Sequence, residues 1–255
     1  MKRQPPPPSV LGELAVVAAE NGYRLLTDAE HLLKRAAWPT AHALAVLAFE
    51  ETGKAWICVI GLIIPAELSG EFPFGELVGS HLNKLQAARV LGGLLEFLKG
   101  TPEAPAAFLE AIEAMENLAR EDNLAKKRGF YADFADDAIW SPSKISRDEA
   151  RRMVAKVRDV LDRSTPLLAP GFVRFLANPP AEAKAELDAF TARFAEALGA
   201  TGPESALEDL ANMYLESTGL PATLERDALR IAGARARPLR TQSKKLPRAK
   251  RTGRT

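Results

Sequence analysis

The chain has 255 residues, of which 47% are apolar, 26% charged and only 7% aromatic, enough for one substantial core and a smaller second unit. Its single cysteine, Cys58, excludes an intramolecular disulfide and suits a reducing compartment, so a cytoplasmic protein with Cys58 as a small buried residue is expected. The net charge of +1 hides an asymmetry: residues 235–255 hold nine cations and no acid, which leaves −8 on everything before them.

The opening MKRQPPPPS (1–9) reads as a proline-rich disordered arm, because four consecutive prolines favour an extended form without internal hydrogen bonds. No apolar run with a cleavage site follows, so no signal peptide is expected. From Val10 to about Ala37, Leu11, Leu14, Ala18, Leu25, Leu32 and Ala36 recur at helical spacing. Asn21 and Asp28 fill the gaps in that stripe and are expected to face the core, with Arg24, His31 and Arg35 beside them.

Trp38-Pro39 ends this helix and opens the next. The second helix, Pro39 to Pro65, is long and apolar except for Glu50, Glu51 and Lys54 near its middle. Those charges argue against a membrane span and demand partners from elsewhere in the fold. A loop from Pro65 to Phe74 precedes a third helix, about Gly75 to Leu98, with Leu77, Leu85, Ala88, Leu91, Leu95 and His81 on its inner face and Lys84 three residues on.

After a break at Gly100 to Pro105, a fourth helix is expected over about Ala106 to Arg120. Next comes a stretch in which Lys126, Lys127 and Arg128 adjoin Phe130, Tyr131 and Phe134. Cations beside stackable rings suit single-stranded RNA. The same pattern fits a basic helix end capped by Gly129, with aromatics plugging the bundle. Ser146-Arg-Asp-Glu149 is a capping box that starts a fifth helix running to about Arg163. The prolines at 166, 170, 179 and 180 mark a boundary, followed by short helices at 181–198, 203–217 and 222–233 and the basic tail. No strand-like alternation stands out.

Facing helices would gather Asn21, Asp28, Glu50, Glu51, Lys54, His81 and Lys84 into one polar cluster, with Lys127, Arg128 and Tyr131 at its mouth. Such a cluster can act as a catalyst, with His81 as general base or acid and lysines stabilising charge on a phosphate. It can equally serve as a structural network that fixes helix register. One inward histidine without a cysteine pair gives no zinc pattern, and neither a metal nor another cofactor is expected.

Four motifs occur in order: Glu20-Asn21 with Asp28-Ala29; Ala48-Phe-Glu-Glu-Thr-Gly-Lys-Ala55; Ser80-His-Leu-Asn-Lys-Leu85; and Lys127-Arg-Gly-Phe-Tyr-Ala-Asp133 before Ser141-Pro142. This series resembles the AbiV family of bacterial abortive-infection proteins, within the HEPN-like superfamily, over about Leu11 to Leu168. The resemblance implies an all-α, HEPN-like bundle of about five helices (10–168); the helical pattern and charge run beyond it, which the resemblance does not cover, are read as a smaller C-terminal helical subdomain (180–234) and a disordered tail (235–255). It also implies defence against bacteriophage, through RNA cleavage by a metal-independent ribonuclease or through translation arrest. The residue-based site is Glu50, Glu51, Lys54, His81 and Lys84 as catalytic candidates, with Asn21, Asp28, Lys127, Arg128, Tyr131 and Asp133 as binding candidates, and by analogy with HEPN proteins a homodimer is expected. The usual arginine, four to six residues, histidine signature of HEPN ribonucleases is absent around His81. Arg24 with His31 and Arg35 with His42 have such a spacing but lie at the wrong end of the bundle, and both are read as chance. The alternatives are a non-catalytic binding module that captures a phage protein, a host protein or the translation machinery, and a scaffold whose basic tail recruits nucleic acid.

Overall fold

The computed structural model describes residues 6–63, 73–97, 104–135 and 138–181, with a few further positions up to 192. Its helices are α1 (Pro8–Lys34), α2 (Trp38–Ile63), α3 (Phe74–Gly79), α4 (His81–Phe97), α5 (Ala104–Phe130), α6 (Arg147–Ser164) and α7 (Pro170–Ala177). A short antiparallel hairpin, Asp133–Ala135 with Ala138–Trp140, and one 3-10 turn, Pro142–Lys144, join α5 to α6. The all-helical expectation holds, and the hairpin is an addition to it. The expected loops at 65–74 and 100–105, much of the helix at 181–198, the helices at 203–217 and 222–233, most of the 1–9 arm and the basic tail lie largely or wholly outside the described residues.

The most apolar helix, α2, occupies the centre, and α1, α4, α5 and α6 pack around it. Phe49, Val46 and Val59 of α2 meet Leu26, Leu85, Leu91, Val157 and Leu161 in one contiguous core. The Ser146 capping box forms as expected: Glu149 N–H donates to Ser146 Oγ at 3.2 Å, and Ser146 N–H donates to Glu149 Oε2 at 2.7 Å. Helix α7 supplies Val173 and Leu176 to the same core, so the bundle continues past the expected end at 168. Tyr23 Oη donates to the Leu161 carbonyl at 2.6 Å, and Arg158 donates to Glu30 Oε1 at 2.6 and 2.9 Å, which ties α1 to α6.

Three boundaries differ from the expectation, each for a local reason. The third helix is broken at Ser80, whose extended backbone and side chain cap α4: Asn83 N–H donates to Ser80 Oγ at 3.3 Å. The fourth helix runs without interruption to Phe130, so Gly129 lies inside it and is no cap. A Cβ at Gly129 would stand 2.7 Å from the Pro39 carbonyl oxygen, so glycine is there to let α5 touch the start of α2. Finally, α1 presents its small residues inward: Ala15, Ala18, Ala19, Gly22, Leu26 and Ala29 are buried, and a Cβ on Gly22 would lie 3.2 Å from the Ala48 carbonyl. That rotation keeps Asn21 and Asp28 out of the core. Asp28 is exposed and Asn21 half-buried, and both accept from Arg24, at 3.3 and 2.8 Å.

Helix α1 ends in a Schellman motif, with Ala37 N–H donating to the Leu32 carbonyl and Ala36 N–H to the Leu33 carbonyl. Ala36 therefore sits at φ 60, a left-handed conformation that costs a residue with a Cβ about 1–2 kcal/mol. Ala36→Gly is expected to raise stability by about 1 kcal/mol in urea unfolding. The opposite holds at Gly53, where a Cβ would stand 1.8 Å from the Lys84 carbonyl oxygen. Gly53→Ala must push α4 off α2 and is expected to cost about 3 kcal/mol in the same measurement, at the upper end of overpacking penalties.

Candidate functional site

Glu50 is the centre of the polar cluster. It projects from the middle of α2 with only 3% of its side chain exposed, and an isolated carboxylate so placed would be prohibitively unfavourable. Lys126 of α5 donates to Glu50 Oε1, His81 Nδ1 lies 2.6 Å from Oε2, and Lys84 Nζ lies 3.9 Å from Oε2. Lys126 Nζ is also 3.4 Å from His81 Nδ1. Burial holds the Lys84 ammonium below the usual lysine range, an effect opposed by the charge of Glu50. Glu51 and Lys54 form a separate, half-buried pair at 2.5 Å along the same helix.

His81 differs from the other members of the cluster in being open, with 59% of its side chain in solvent. It is the first residue of α4, so the positive pole of that helix adds to the field of the two lysines. Because Glu50 is an acceptor, His81 Nδ1 carries the hydrogen of their bond, and Nε2 is the ring nitrogen left for a substrate. Lys84 and Lys126 outweigh the single charge of Glu50, so the ground around His81 suits an anion.

Of the expected residues, the fold brings together Glu50, His81 and Lys84, with Glu51 and Lys54 alongside. Asn21 and Asp28 are not among them. Lys127 of α5 and Tyr131, just after its end, face solvent, and Arg128 is half-buried. Asp133 pairs through its backbone with Trp140 in the hairpin. The residue missing from the cluster expected from sequence is Lys126. Its signal was helical continuity: Ala119, Lys126 and Gly129 share one buried face only if the helix continues through Gly129. Of the two arginine–histidine spacings, Arg24 and His31 are both exposed, and Arg35 is exposed while His42 is buried. Burial pushes the Cys58 thiol up to about 12, and Cys58 is the inert core residue expected.

The family model for AbiV matches residues 10–162, the stretch from α1 almost to the end of α6 and well over half the chain. The chain belongs to the AbiV family of HEPN proteins. Membership assigns it to abortive infection, the defence of bacteria against phage. The matched stretch includes every element that contributes to the Glu50 cluster of this AbiV-family chain. Comparison with curated proteins and with solved structures gives no match. Among the described residues, no helix is long and apolar enough to cross a membrane, and no group of His, Cys, Asp and Glu is placed to hold a metal ion.

A second polar network lies beside the first. Asp122, one turn before Lys126 on α5, accepts from Arg89 Nη2 at 2.6 Å and from Lys156 Nζ at 3.5 Å. Lys156 Nζ rests 4.7 Å from the centre of the Phe49 ring, and burial pushes its ammonium down to about 8. His42, 92% buried, is held below 6.5 by burial, against the opposing charges of Asp122 and Glu149.

Two outcomes are expected. Glu50→Gln leaves Lys84 and Lys126 without their carboxylate and is expected to cost about 3–5 kcal/mol in urea unfolding, with partial recovery in the Glu50→Gln, Lys126→Met double variant. His42 binds a proton more readily in the unfolded chain than in the folded one. Its contribution is therefore fully present above pH 6.5 and is lost as pH falls below 6.5 toward the lower folded value. Melting temperatures between pH 7.5 and 5 should fall in the parent, and His42→Leu should flatten that dependence.

Proposed function

We propose that this AbiV-family protein defends against phage by cleaving RNA without a metal ion, with His81 as the general base. The observation that carries the proposal is the Glu50–His81 pair at 2.6 Å, in which a buried carboxylate orients an exposed imidazole. In this reading Glu50 holds the Nδ1–H, and Nε2 takes the proton of a ribose 2′-hydroxyl. The 2′-oxygen attacks the adjacent phosphorus and the bond from phosphorus to the 5′-oxygen breaks. The products are a 2′,3′-cyclic phosphate and a 5′-hydroxyl, the leaving oxygen taking its proton from water. Lys84 and Lys126, both nearly buried, act behind His81 by stabilising the negative charge that grows on the phosphate, and need not touch it.

A second reading draws support from the same geometry. Glu50 is fully satisfied by its neighbours, as in a network whose task is to hold three helices in register while another surface captures a phage or host protein. His81→Ala separates the two, since the exposed ring can be removed without opening the core. RNA degradation in cells exposed to phage, and protection of the culture, should both fall by about 100-fold or more if His81 is the base. Unchanged protection by a folded His81→Ala protein would end the cleavage reading.

A further inference from the structure

Helix α5 ends with two aromatic rings in solvent. Tyr131, immediately after it, is 66% exposed and Phe130, its last residue, is 38% exposed. The rings meet edge to face, with centroids 6.2 Å apart. They do not plug the bundle, as one reading of the sequence had it. Leu124, 46% exposed, and Lys127, also exposed, precede Tyr131 by seven and four residues and so share its stripe of the helix. Single exposed apolar residues are ordinary on a surface, but here a leucine and two rings are grouped around a cation.

Their position relative to the site is fixed by the helix. Phe130 follows Lys126 by four residues, which is about 6 Å of rise on nearly the same face. Lys126 is bonded to Glu50 and lies 3.4 Å from His81, so the rings are carried by the helix turn that follows the residue reaching the imidazole. Flat, solvated rings beside a locally cationic site match the two parts of an unpaired nucleotide, a base with an open π face and a phosphate. A duplex, whose bases are stacked on one another, offers such a face only at its two ends.

We propose that Tyr131 and Phe130, with Lys127, form a stacking platform for an unpaired base of an RNA strand whose backbone passes over His81. This deepens the cleavage reading and rests on it for the choice of RNA. The platform makes unpaired segments the substrate class and Tyr131 the residue that selects them.

The test uses the full-length chain carrying His81→Ala, so that no RNA is consumed. Fluorescence anisotropy measures its binding to a labelled single-stranded RNA, an abasic strand of equal length and a blunt RNA duplex. The unpaired strand should bind tighter than the other two by roughly 5- to 100-fold, the range that base stacking on one aromatic ring supports. Adding Tyr131→Ala should abolish that preference, and Tyr131→Trp should retain it, both at an unchanged unfolding midpoint. Equal affinity for base-bearing and abasic strands, or full preference after Tyr131→Ala, overturns the platform. So does a protein that binds no RNA but loses capture of a phage protein when Tyr131 is replaced, an outcome that makes the patch a protein-docking surface. Tyr131-dependent binding of unpaired RNA without any His81-dependent cleavage supports the platform while ending the cleavage reading, so the two fail separately.

Discussion

A carboxylate buried in the most apolar helix of the bundle must be satisfied from outside that helix, and much of the site follows from this requirement. Glu50 has room for several donors, and they arrive from two other helices: Lys126 from α5, His81 and Lys84 from α4. One side chain thus sets the relative placement of three helices. The contact is possible only because Gly53, one turn further on, allows the backbone of α4 to rest against α2. Any side chain there would move His81 and Lys84 away from the carboxylate, and a buried charge that loses its partners is among the most destabilising changes a core can suffer.

The Asp122 network complements this one from the neighbouring position. Phe49 and Glu50 are consecutive on α2, and Asp122 and Lys126 are one turn apart on α5. Lys156 lies over the ring of Phe49 while Lys126 bonds Glu50, so the two helices are pinned at adjacent points by different chemistry. The two networks differ in access. His42 is sealed beside Asp122 and disfavours protonation, whereas His81 stands mostly in solvent on the rim of the Glu50 cluster. Exposure of the imidazole is what separates a group that can meet a substrate from one that only holds the bundle together.

The resemblance to HEPN ribonucleases directs attention to an arginine a few residues before a histidine, and His81 has none. In this chain the positive charge near the histidine comes from lysines on two helices and from the end of α4, and the histidine is oriented by a glutamate far away in sequence. An arrangement assembled in this way has no short linear signature. The exposed pair Phe130 and Tyr131 adds a surface of different chemistry one turn beyond Lys126, because α5 does not stop where its cations begin.

The sequence by itself determined the helical class, the centrality of the 39–65 segment, the Ser146 cap and the partners Glu50, His81 and Lys84, since each depends on local periodicity, capping chemistry or the cost of an unpaired charge. It also carried the family, through motifs whose order survives without any three-dimensional information. Only the tertiary structure decided which face of α1 turns inward. Close packing through Gly22, with Ala15, Ala19 and Ala29 buried beside it, turned Leu14 and Leu25 partly outward and left Asn21 and Asp28 to Arg24. It also decided the fate of Gly129, which a sequence reads as a helix end but which the approach of Pro39 and Ala43 keeps inside a continuous helix. With that helix unbroken, Lys126 reaches Glu50 and Tyr131 reaches solvent. How close two backbones come is a property of the pair of helices, and neither helix's own residues record it.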